Sequence, residues 1–491
     1  MSIQTETDRT PIVYKQLFIG GKWIEPAGSS IIEIRSPHDQ SLIGTSVEAT
    51  NADVDIAVGI ARKAFDEGPW PKFTPEERQE VVRRFNELYS KKATELAHLI
   101  TAENGTPLWF TMATAGAVVQ ETEAYLRTAK NYAWESTKTT AEGQKNLICS
   151  EPVGVVAIVV PWNAPQPLTM LKIIPALLAG CTLVLKPSPE TALDGVALGE
   201  IFAEAGVPEG VISILPAGRE VSEYLISHPE VDKIAFTGST SAGKKIASIA
   251  GSQIKRYTLE LGGKSAAILL EDADLNAAVG ALQYNSFAAN GEFCMAQTRI
   301  LAPSGRYEEV VNAFAALANG LKIGNPANPE TFLGPLVHKE QYDRVISYIE
   351  LGIQEGARLV TGGTDFPEGE GLEKGFYVKP TIFADVNNQM RIEREEIFGP
   401  VLVIIPYDTV EEAIQIANDS DYGLAGSVWS KDIDKALKVA RQVRTGVFGI
   451  NYAGLPDADS PAGGFKKSGI GREQGVMGLS SYIEKKTIVI G

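Results

Sequence analysis

Short apolar runs rich in β-branched residues alternate with helical segments between residues 152 and 270, and this alternation constrains the fold most. The apolar runs are VGVVAIVV, TLVLKP, VISILPA, KIAFTG and AAILLE. The segments between them, such as LTMLKIIPALLAG and DGVALGEIFAEAG, carry apolar residues at helical spacing. Strands that are apolar on both faces and joined by helices form parallel sheets. The sequence therefore predicts an α/β fold, in which ligands bind beyond the carboxyl ends of the strands.

A second α/β series begins near residue 297, with the strands QTRILAPS, VKPTIFADV and PVLVIIPY. Upstream of both series, residues 17–48 are interpreted as short β segments, and three helices follow. The first has an apolar face that ends at Phe65, and the second opens with a capping box of Thr74 and Glu77. The tail SSYIEKKTIVIG predicts a terminal strand that pairs with another subunit. A chain of 491 residues with 44% hydrophobic composition buries more than one core, so two or three domains are expected.

The charge balance and the few cysteines and histidines exclude several classes of function. A net charge of −16 disfavours a nucleic-acid partner, because phosphate binding needs a basic face. The polar residues 1–16 lack the apolar stretch of a signal peptide, and the longest apolar runs are too short to span a bilayer. Three cysteines make no disulfide framework, and four scattered histidines form no metal-binding motif. We therefore expect a cytoplasmic protein with no membrane partner and no metal site.

The segment AFTGSTSAGKK resembles a nucleotide-binding loop without completing it. Gly238, Gly243 and Lys244 fit the pattern G-x-x-x-x-G-K, but Lys245 stands where a P-loop needs Ser or Thr. Because a strand precedes this loop and a helix follows, the free N–H groups and the helix dipole favour a phosphate group there. One alternative is an ordinary glycine-rich turn. Another is a P-loop ATPase, for which the hydroxyl that binds Mg²⁺ is missing.

Three further residues have side chains suited to catalysis. Cys294 lies in the polar, glycine-bearing segment NGEFCMAQTR, whereas Cys149 and Cys181 are interpreted as inert structural cysteines. Glu260 lies among apolar residues in LELGGKS, where the pKa of a carboxyl rises into the range of a general base. Asn163 follows a buried strand in VVPWNAPQP and can donate to an oxyanion. The alternatives are a buried inert cysteine, a solvent-facing glutamate and an asparagine held in a turn.

In this order along the chain, these features resemble the NAD(P)-dependent aldehyde dehydrogenase superfamily. The resemblance extends over nearly the whole chain and rests on LFIGGKWIEP, EPVGVVAIVVPWNAP, LELGGKSAAILLEDAD, REEIFGPVLVIIPY and GGFKKSGIGREQG. It implies the aldehyde dehydrogenase fold: a variant Rossmann cofactor domain, a second α/β catalytic domain and a small β oligomerisation arm. The cofactor domain would comprise residues 1–130 and 150–259, the catalytic domain residues 260–464, and the arm residues 131–149 and 472–491.

The resemblance also implies a role for each site residue. Cys294 would be the nucleophile and Glu260 the general base, and Asn163 would form an oxyanion hole with the backbone N–H of Cys294. Lys172 matches a lysine proposed to relay protons, and Glu473 an acidic residue with a lesser role in activating water. The positions that match cofactor-binding residues are Trp162, Lys186, Gly218, Phe236, Gly238, Ser239, Gly243, Glu396 and Phe398.

The implied reaction oxidises an aldehyde to a carboxylic acid. The Cys294 thiolate adds to the aldehyde carbon, the thiohemiacetal loses hydride to the cofactor, and water activated by Glu260 hydrolyses the thioester. The alternatives are a CoA-acylating dehydrogenase, which needs no glutamate base, and a catalytically retired structural homologue. The resemblance further implies a homo-oligomer, either a dimer or a homotetramer.

The residue after Ser188 bears on the choice of cofactor. Pro189 stands where many NAD-specific members of the family carry a glutamate for the ribose 2′-hydroxyl. Without that carboxylate the 2′-phosphate of NADP is no longer repelled, but the adjacent Glu190 can substitute. NAD is therefore the expected cofactor, with NADP as the alternative.

Two alanines bear on the substrate. Ala164 and Ala462 stand where phenylalanine is common in the family. Removing two rings widens the substrate tunnel, which favours a bulky, aromatic or terpenoid aldehyde over acetaldehyde. Bulk from Met170 or Pro456 would offset this widening.

Overall fold

The computed structural model describes residues 10–490. Residues 1–9, which belong to the segment where no signal peptide is expected, and residue 491 lie outside the described part. The strands are β1 (Ile12–Tyr14), β2 (Leu17–Ile19), β3 (Lys22–Ile24), β4 (Ile31–Arg35), β5 (Leu42–Val47), β6 (Glu135–Thr139), β7 (Lys145–Pro152), β8 (Val155–Val159), β9 (Thr182–Lys186), β10 (Ile212–Ile214), β11 (Lys233–Thr237), β12 (Arg256–Glu260), β13 (Ala266–Leu269), β14 (Arg299–Pro303), β15 (Arg358–Thr361), β16 (Thr381–Ala384), β17 (Val401–Tyr407), β18 (Gly426–Trp429), β19 (Gly449–Ile450), β20 (Gly469–Ile470) and β21 (Ile483–Ile490). The helices are α1 (Asn51–Asp66), α2 (Pro75–Asn104), α3 (Leu108–Asn131), α4 (Pro165–Ala179), α5 (Ala192–Glu204), α6 (Arg219–Ser227), α7 (Thr240–Ser252), α8 (Leu275–Ser286), α9 (Tyr307–Gly320), α10 (Lys339–Gln354), α11 (Arg391–Arg394), α12 (Val410–Asn418), α13 (Ile433–Ala440) and α14 (Gly475–Ser480).

Two large sheets organise the chain and confirm the predicted α/β fold class. The first sheet has the order β20-β12-β11-β8-β9-β10-β2-β3, and its five strands from β12 to β10 are parallel. The second has the order β15-β16-β17-β14-β13-β18-β19 and is parallel except at its edge strand β15. Since ligands bind at the carboxyl ends of parallel strands, the segments that follow β8, β11 and β12 are placed to form a site.

The run AAILLE was wrongly grouped with the first apolar series. Its strand, β13, lies in the second sheet between β14 and β18, and the fifth parallel strand of the first sheet is β12. Among residues 10–490, the two-residue strand β20 is the only strand that pairs with the outer edge of β12, and Arg256 is exposed and Tyr257 half-buried. Because this strand does not need a continuous apolar run, a search for such runs misses it.

The first two helices follow the sequence pattern closely. The apolar face predicted for α1 is buried, apart from the half-buried Phe65 at its end. At the start of α2 the Thr74 hydroxyl accepts from the Glu77 N–H at 3.2 Å, and Glu77 Oε2 accepts from the Thr74 N–H at 2.7 Å. The predicted capping box is therefore confirmed.

Helices α3 and α4 pack against each other, and α14 packs on both. This layer covers one face of the first sheet around a core that includes Val156, Ile158 and Leu185. A separate sheet of β6, β7 and β21 forms beside it. The predicted terminal strand is β21, which pairs antiparallel with β7 from Ile483 to Ile490. No helix among residues 10–490 is both long and apolar enough to cross a bilayer.

Candidate active site

Two cavities meet at Cys294. One is an apolar tunnel of about 450 Å³ beside α3 and α4, and the other is a more polar cleft of about 660 Å³ at the carboxyl ends of β8 and β11. Cys294, Thr237 and Leu261 line both cavities. The cysteine therefore faces space for an apolar molecule on one side and for a polar molecule on the other, as expected for the carboxyl edge of a parallel sheet.

A left-handed turn after α8 presents Cys294. Ala289, Asn290 and Gly291 have successive φ angles of +46°, +61° and +80°. The Asn290 side chain holds this turn with three hydrogen bonds of 2.7–3.0 Å to the backbone of residues 105, 334 and 335. Such strained backbone persists only where surrounding contacts fix it, and here they fix the direction of the cysteine.

The two glycines of LELGGKS allow the chain to pass beside Cys294. A Cβ on Gly262 would lie 2.2 Å from the Glu396 carboxylate, and a Cβ on Gly263 would lie 2.6 Å from the Cys294 carbonyl oxygen. The contact at Gly263 is with backbone, so that position requires glycine, whereas a Cβ at position 262 would force the Glu396 side chain to move.

The surroundings of Cys294 favour the thiol over the thiolate. Burial, followed by the nearby carboxyls of Glu396 and Glu260, raises the pKa of Cys294 to about 12. The backbone N–H groups of Cys294 and Met295 act in the opposite direction. Formation of the nucleophilic thiolate therefore needs a proton acceptor or a cation close to the sulfur.

Asn163 lies in the turn between β8 and α4. Its side chain is 5% exposed, and its Nδ2 donates to the carbonyl oxygen of Glu292 at 2.9 Å. The Asn104 side chain supports the same turn by donating to the Trp162 carbonyl at 2.9 Å. An amide carries two N–H donors, so Asn163 keeps one for a group in the cleft beside Cys294.

Glu260 ends β12 and lines the tunnel. Its Oε1 is buried and has no hydrogen-bond partner in the described part of the chain. Burial, followed by the charge of Glu473, raises the pKa of Glu260 well above its ordinary value, whereas Lys172 and Arg472 lower it. A carboxyl with a raised pKa accepts protons efficiently near neutrality.

Lys172 and Glu473 form a buried ion pair next to Glu260. Lys172 Nζ lies 2.6 Å from Glu473 Oε1, and the two side chains are 1% and 11% exposed. Lys172 belongs to α4, whereas Glu473 pairs with Ala462 in an isolated antiparallel bridge. Tertiary packing thus brings together two residues 301 positions apart in the sequence.

The turn between β11 and α7 forms one wall of the cleft. Gly238 and Ser239 line it, and Ser239 Oγ caps α7 by accepting from the Ala242 N–H at 3.2 Å. The Phe236 ring lies under the turn, where a Cβ on Gly238 would approach it to 2.5 Å. Gly243 does not line the cleft. The absence of a side chain at Gly243 instead leaves space for Leu261, which a Cβ at this position would meet at 2.6 Å.

The loop from Glu396 to Phe398 forms the facing wall. Gln341 on α10 donates to the Phe398 carbonyl at 2.6 Å, and Glu396 Oε1 accepts from the Gly263 N–H at 2.8 Å. Phe398 adopts φ +64°, and its ring meets Trp162 edge-on with centroids 5.6 Å apart. Trp162, Glu396 and Phe398 thereby converge near Cys294.

Lys186 and Gly218 lie outside the residues that line the cleft. Lys186 ends β9 and donates from Nζ to the Ala217 carbonyl at 3.4 Å. Burial lowers the pKa of Lys186 to about 8, and the charge of Glu190 opposes this shift. Gly218 precedes α6 and donates its N–H to Glu48 Oε1 at 3.2 Å. Lys186 ends β9, which neighbours β8, and Gly218 follows β10, the next strand along, so both lie at the same carboxyl edge of the sheet.

Six alanines form part of the tunnel wall. Ala164 and Ala462 both line it, and Met170 does not replace their missing bulk because its side chain is buried in the core of the first sheet. Pro456 and Phe293 line the tunnel without filling it. The alanines in the wall are Ala113, Ala117, Ala164, Ala281, Ala453 and Ala462.

Sequence reasoning missed Glu121, a buried carboxyl in the tunnel wall. It lies on α3, is 7% exposed, and shares one face of the helix with Phe110, Thr114 and Ala117. The sequence could have indicated Glu121 through the helical spacing of these four residues, which places its carboxyl on the face of α3 that turns inward. Arg219 and Arg344, two cations that line the cleft, were also missed because they lie in no recognisable motif.

The sequence matches the model of the aldehyde dehydrogenase family over residues 23–488. Geranial dehydrogenase of Castellaniella defragrans is 43% identical over 480 residues, which cover 98% of this chain and 99% of that protein. The crystal structure of a Mycobacterium tuberculosis aldehyde dehydrogenase complexed with NAD⁺ has 46% identity and a TM-score of 0.95, over 98% of this chain and 99% of the other. Aldehyde dehydrogenase C of Pseudomonas syringae, solved with NAD⁺ and octanal, has 37% identity and a TM-score of 0.92, over 96% of each chain. The chain therefore belongs to the aldehyde dehydrogenase family and is an NAD(P)-dependent aldehyde dehydrogenase.

Proposed function

We propose that the protein oxidises a bulky apolar aldehyde to its carboxylic acid by the hydrolytic route, with Cys294 as nucleophile and Glu260 as general base. The placement of Cys294 carries this proposal, because the sulfur lies where the apolar tunnel meets the polar cleft. Asn163 lines the cleft and Glu260 lines the tunnel, so both flank the reacting carbon of an aldehyde bound to Cys294.

The cleft suits a nicotinamide dinucleotide. Thr237 Oγ1 is buried there without a hydrogen-bond partner among residues 10–490, which leaves it for a polar ligand. The N-terminus of α7, with Gly238 and Ser239, would hold the pyrophosphate. Glu396 and Phe398 would hold the nicotinamide ribose, and Lys186 the adenosine ribose. When bound, the nicotinamide supplies the hydride acceptor.

The side chains of this protein then account for the acylation step. The Cys294 thiol first loses its proton to water, and the thiolate then adds to the aldehyde carbon. The resulting alkoxide accepts hydrogen bonds from Asn163 Nδ2 and the Cys294 N–H. Asparagine is suited to this role because a neutral donor stabilises the alkoxide without trapping it. Collapse of the alkoxide expels hydride and leaves a thioester on Cys294.

Glu260 accounts for the deacylation step. The carboxylate accepts a proton from a water molecule as that water attacks the thioester carbonyl. The tetrahedral intermediate is held by the same two donors, and its collapse releases the acid and the Cys294 thiolate. A glutamate in this position favours the hydrolytic route over transfer of the thioester to CoA.

Absorbance of the reduced cofactor tests this function in purified wild type, Cys294→Ala and Glu260→Gln, each with and without CoA. We expect aldehyde-dependent reduction of NAD without CoA in the wild type and none in Cys294→Ala. Glu260→Gln should form the thioester once and then turn over slowly. Activity in the wild type only when CoA is present would contradict the hydrolytic route.

The alanine-lined tunnel supports a bulky substrate. A space of about 450 Å³ is of the size that holds drug-sized molecules, and acetaldehyde would leave most of it unfilled. The 43% identity with geranial dehydrogenase agrees with a terpenoid aldehyde. Citral, octanal and benzaldehyde should therefore give higher kcat/KM than acetaldehyde, and Ala462→Phe should reduce this preference. A wild type that prefers acetaldehyde would exclude a bulky substrate.

We also propose that the protein is a cytoplasmic homo-oligomer, either a dimer or a homotetramer, assembled through the arm. The support is the terminal strand β21, whose Ile488, Val489 and Ile490 are exposed. Light scattering after size-exclusion chromatography measures the mass directly. A mass equal to one chain at micromolar concentration would refute the assembly.

A further inference from the structure

A group of unpartnered acceptors surrounds the Lys172–Glu473 pair. Glu121 Oε2, Glu260 Oε1 and Gln474 Oε1 are buried, and none has a hydrogen-bond partner within residues 10–490. All three residues line the tunnel together with Glu473. Buried acceptors are normally satisfied, so this end of the tunnel is built to take donors from water or from protonated side chains.

Buried charges of both signs meet in this group. Three carboxyls, Glu121, Glu260 and Glu473, lie around the Lys172 ammonium. Two further cations act on them, the buried Lys233 on Glu473 and Arg472 on Glu260. Burial, followed by the charge of Glu473, raises the pKa of Glu121 to about 8, whereas Lys172 lowers it. Glu121 and Glu260 therefore bind a proton more readily than ordinary glutamates, which suits groups that pass a proton between them.

Elements on several sides of Glu121 contribute the titratable groups that face it. Lys172 comes from α4, Glu473 from the segment before α14, Tyr125 from the next turn of α3, and Tyr89 from α2. Tyr89 donates to Gln166 at 2.6 Å, and the Tyr125 hydroxyl accepts from the Gln474 N–H at 2.8 Å. Burial raises the pKa of both phenols above the ordinary tyrosine value, so both keep their protons near neutral pH.

Glu121 also connects this group to the tunnel mouth. The face of α3 that carries Glu121 continues outward through Ala117 and Thr114 to Phe110. The neighbouring Trp109 contacts the mouth residue Tyr284, whose side chain is 58% exposed, with ring centroids 5.6 Å apart. Protons that reach Glu121 are therefore on the side of the tunnel that leads to solvent.

We propose that Glu121 receives the proton that Glu260 takes from the hydrolytic water and returns it to solvent through the tunnel. The proton leaves the attacking water for the Glu260 carboxylate, crosses the Lys172–Glu473 pair and ordered water, and reaches the Glu121 carboxylate. No bond other than O–H and N–H bonds is made or broken, and Glu260 is regenerated as a carboxylate. Glu121 is thus a positioning residue for deacylation, and its role rests on the hydrolytic function proposed above.

The test compares Glu121→Gln with Glu123→Gln, an exposed glutamate two residues further along the same helix that serves as a matched control. Rapid mixing with NAD and citral separates the burst of reduced cofactor, which reports acylation, from the steady rate, which reports deacylation. For Glu121→Gln we expect an unchanged burst rate and a kcat lowered on the order of tenfold, less than the loss of a direct general base. Glu123→Gln should match the wild type.

Two further readouts distinguish proton transfer from a structural role. The pH profile of kcat should change in Glu121→Gln and return toward the wild type in Glu121→Asp, which restores a carboxyl. If Glu121→Gln does not fold, Glu121→Asp replaces it in the rapid-mixing test. Glu121→Asp should then show a normal burst followed by a steady rate slower than that of the wild type. Equal kcat in Glu121→Gln and Glu123→Gln, or a burst slowed as much as kcat, would overturn the role of Glu121. Absence of any CoA-independent reduction in the wild type would instead refute the hydrolytic function itself.

Discussion

Asn163 Nδ2 lies 2.9 Å from the carbonyl oxygen of Glu292, two residues before Cys294, and this bond joins the turn after β8 to the turn that presents the thiol. In the sequence, one turn comes before β12 and the other comes after it. The bond therefore fixes the position of the Asn163 amide relative to the Cys294 sulfur. The second hydrogen of the amide stays available to an alkoxide formed on Cys294.

Replacing Asn163 with Ala removes this donor. We expect kcat to fall on the order of 10²–10³-fold, as for other single oxyanion-hole donors, with little change in the KM for NAD. Steady-state kinetics at saturating NAD, with thermal melting to verify the fold, measure this effect. A variant with wild-type kcat would remove Asn163 from the oxyanion hole.

Replacing Gly263 with Ala places a Cβ 2.6 Å from the Cys294 carbonyl oxygen. The new Cβ and the carbonyl oxygen are both attached directly to the backbone, so neither can rotate away. We therefore expect a loss of about 1–3 kcal/mol in the free energy of unfolding, together with reduced activity. Gly251→Ala on α7 is the control, since its Cβ would meet no atom within 4 Å. Denaturant unfolding compares the two variants, and equal stabilities would show that the chain relaxes around residue 263 without cost.

The thiol of Cys294 should become more reactive when a neighbouring negative charge is removed. Glu396 is the first carboxyl, after burial, that raises the pKa of Cys294. Glu396→Gln therefore lowers this pKa, and each unit of change raises the thiolate fraction about tenfold while the pH stays below the pKa. Alkylation by iodoacetamide without cofactor at alkaline pH measures the rate, with Cys294→Ser to subtract labelling of the other cysteines. An unchanged rate would mean that Glu396 does not act on the sulfur.

Glu190 is expected to favour NAD over NADP. Its Oε2 accepts a hydrogen bond from Ser188, and its charge acts on Lys186 at the end of β9. A carboxylate there accepts hydrogen bonds from ribose hydroxyls and repels a 2′-phosphate. Glu190→Gln should raise the NADP-to-NAD ratio of kcat/KM by about tenfold, equivalent to about 1.4 kcal/mol. A wild type that already uses NADP better than NAD would refute this assignment.

Asp194 and Glu103 form a buried carboxyl pair that should make stability depend on pH. Burial raises the pKa of Asp194 to about 8, and burial, followed by the charge of Asp194, raises the pKa of Glu103. The folded state therefore holds a proton that the unfolded state releases at lower pH, so this contribution to stability falls as the pH rises between the ordinary aspartate value and about 8. The wild type should lose up to about 1.4 kcal/mol per pH unit relative to Asp194→Asn across this window. Parallel stability curves for the two proteins would contradict a shared buried proton.

The extent to which the sequence predicted the structure differs between the sheets and the site. Continuous apolar runs predicted the strands that are covered on both faces, from β8 to β11, because burial on both sides demands such runs. The same criterion misplaced AAILLE, because a run carries no information about which sheet its strand joins, and it missed β12, whose exposed Arg256 and half-buried Tyr257 break the apolar run. Turn chemistry predicted the cap of α2, which depends only on residues close in sequence.

The candidate site shows the same division. The motifs around Asn163, Glu260 and Cys294 identified chemically suited side chains, because each motif is local and carries its own turn or glycine pair. Gly243 matched the phosphate-loop pattern, yet its position inside α7 turns it toward Leu261 rather than the cleft. Glu121 carried no motif, and only its place on the wall of the tunnel makes it a candidate.

The sequence by itself determined the α/β fold class, the family and the residue types of the site, because apolar periodicity and short motifs act over a few neighbouring residues. Only the tertiary structure decided which groups meet: the Lys172–Glu473 pair joins residues 301 positions apart, and Asn163 reaches Glu292 across 129. Those meetings set the burial of Glu260 and Cys294 and therefore their pKa values, since desolvation and nearby charge depend on packing in three dimensions and not on order along the chain.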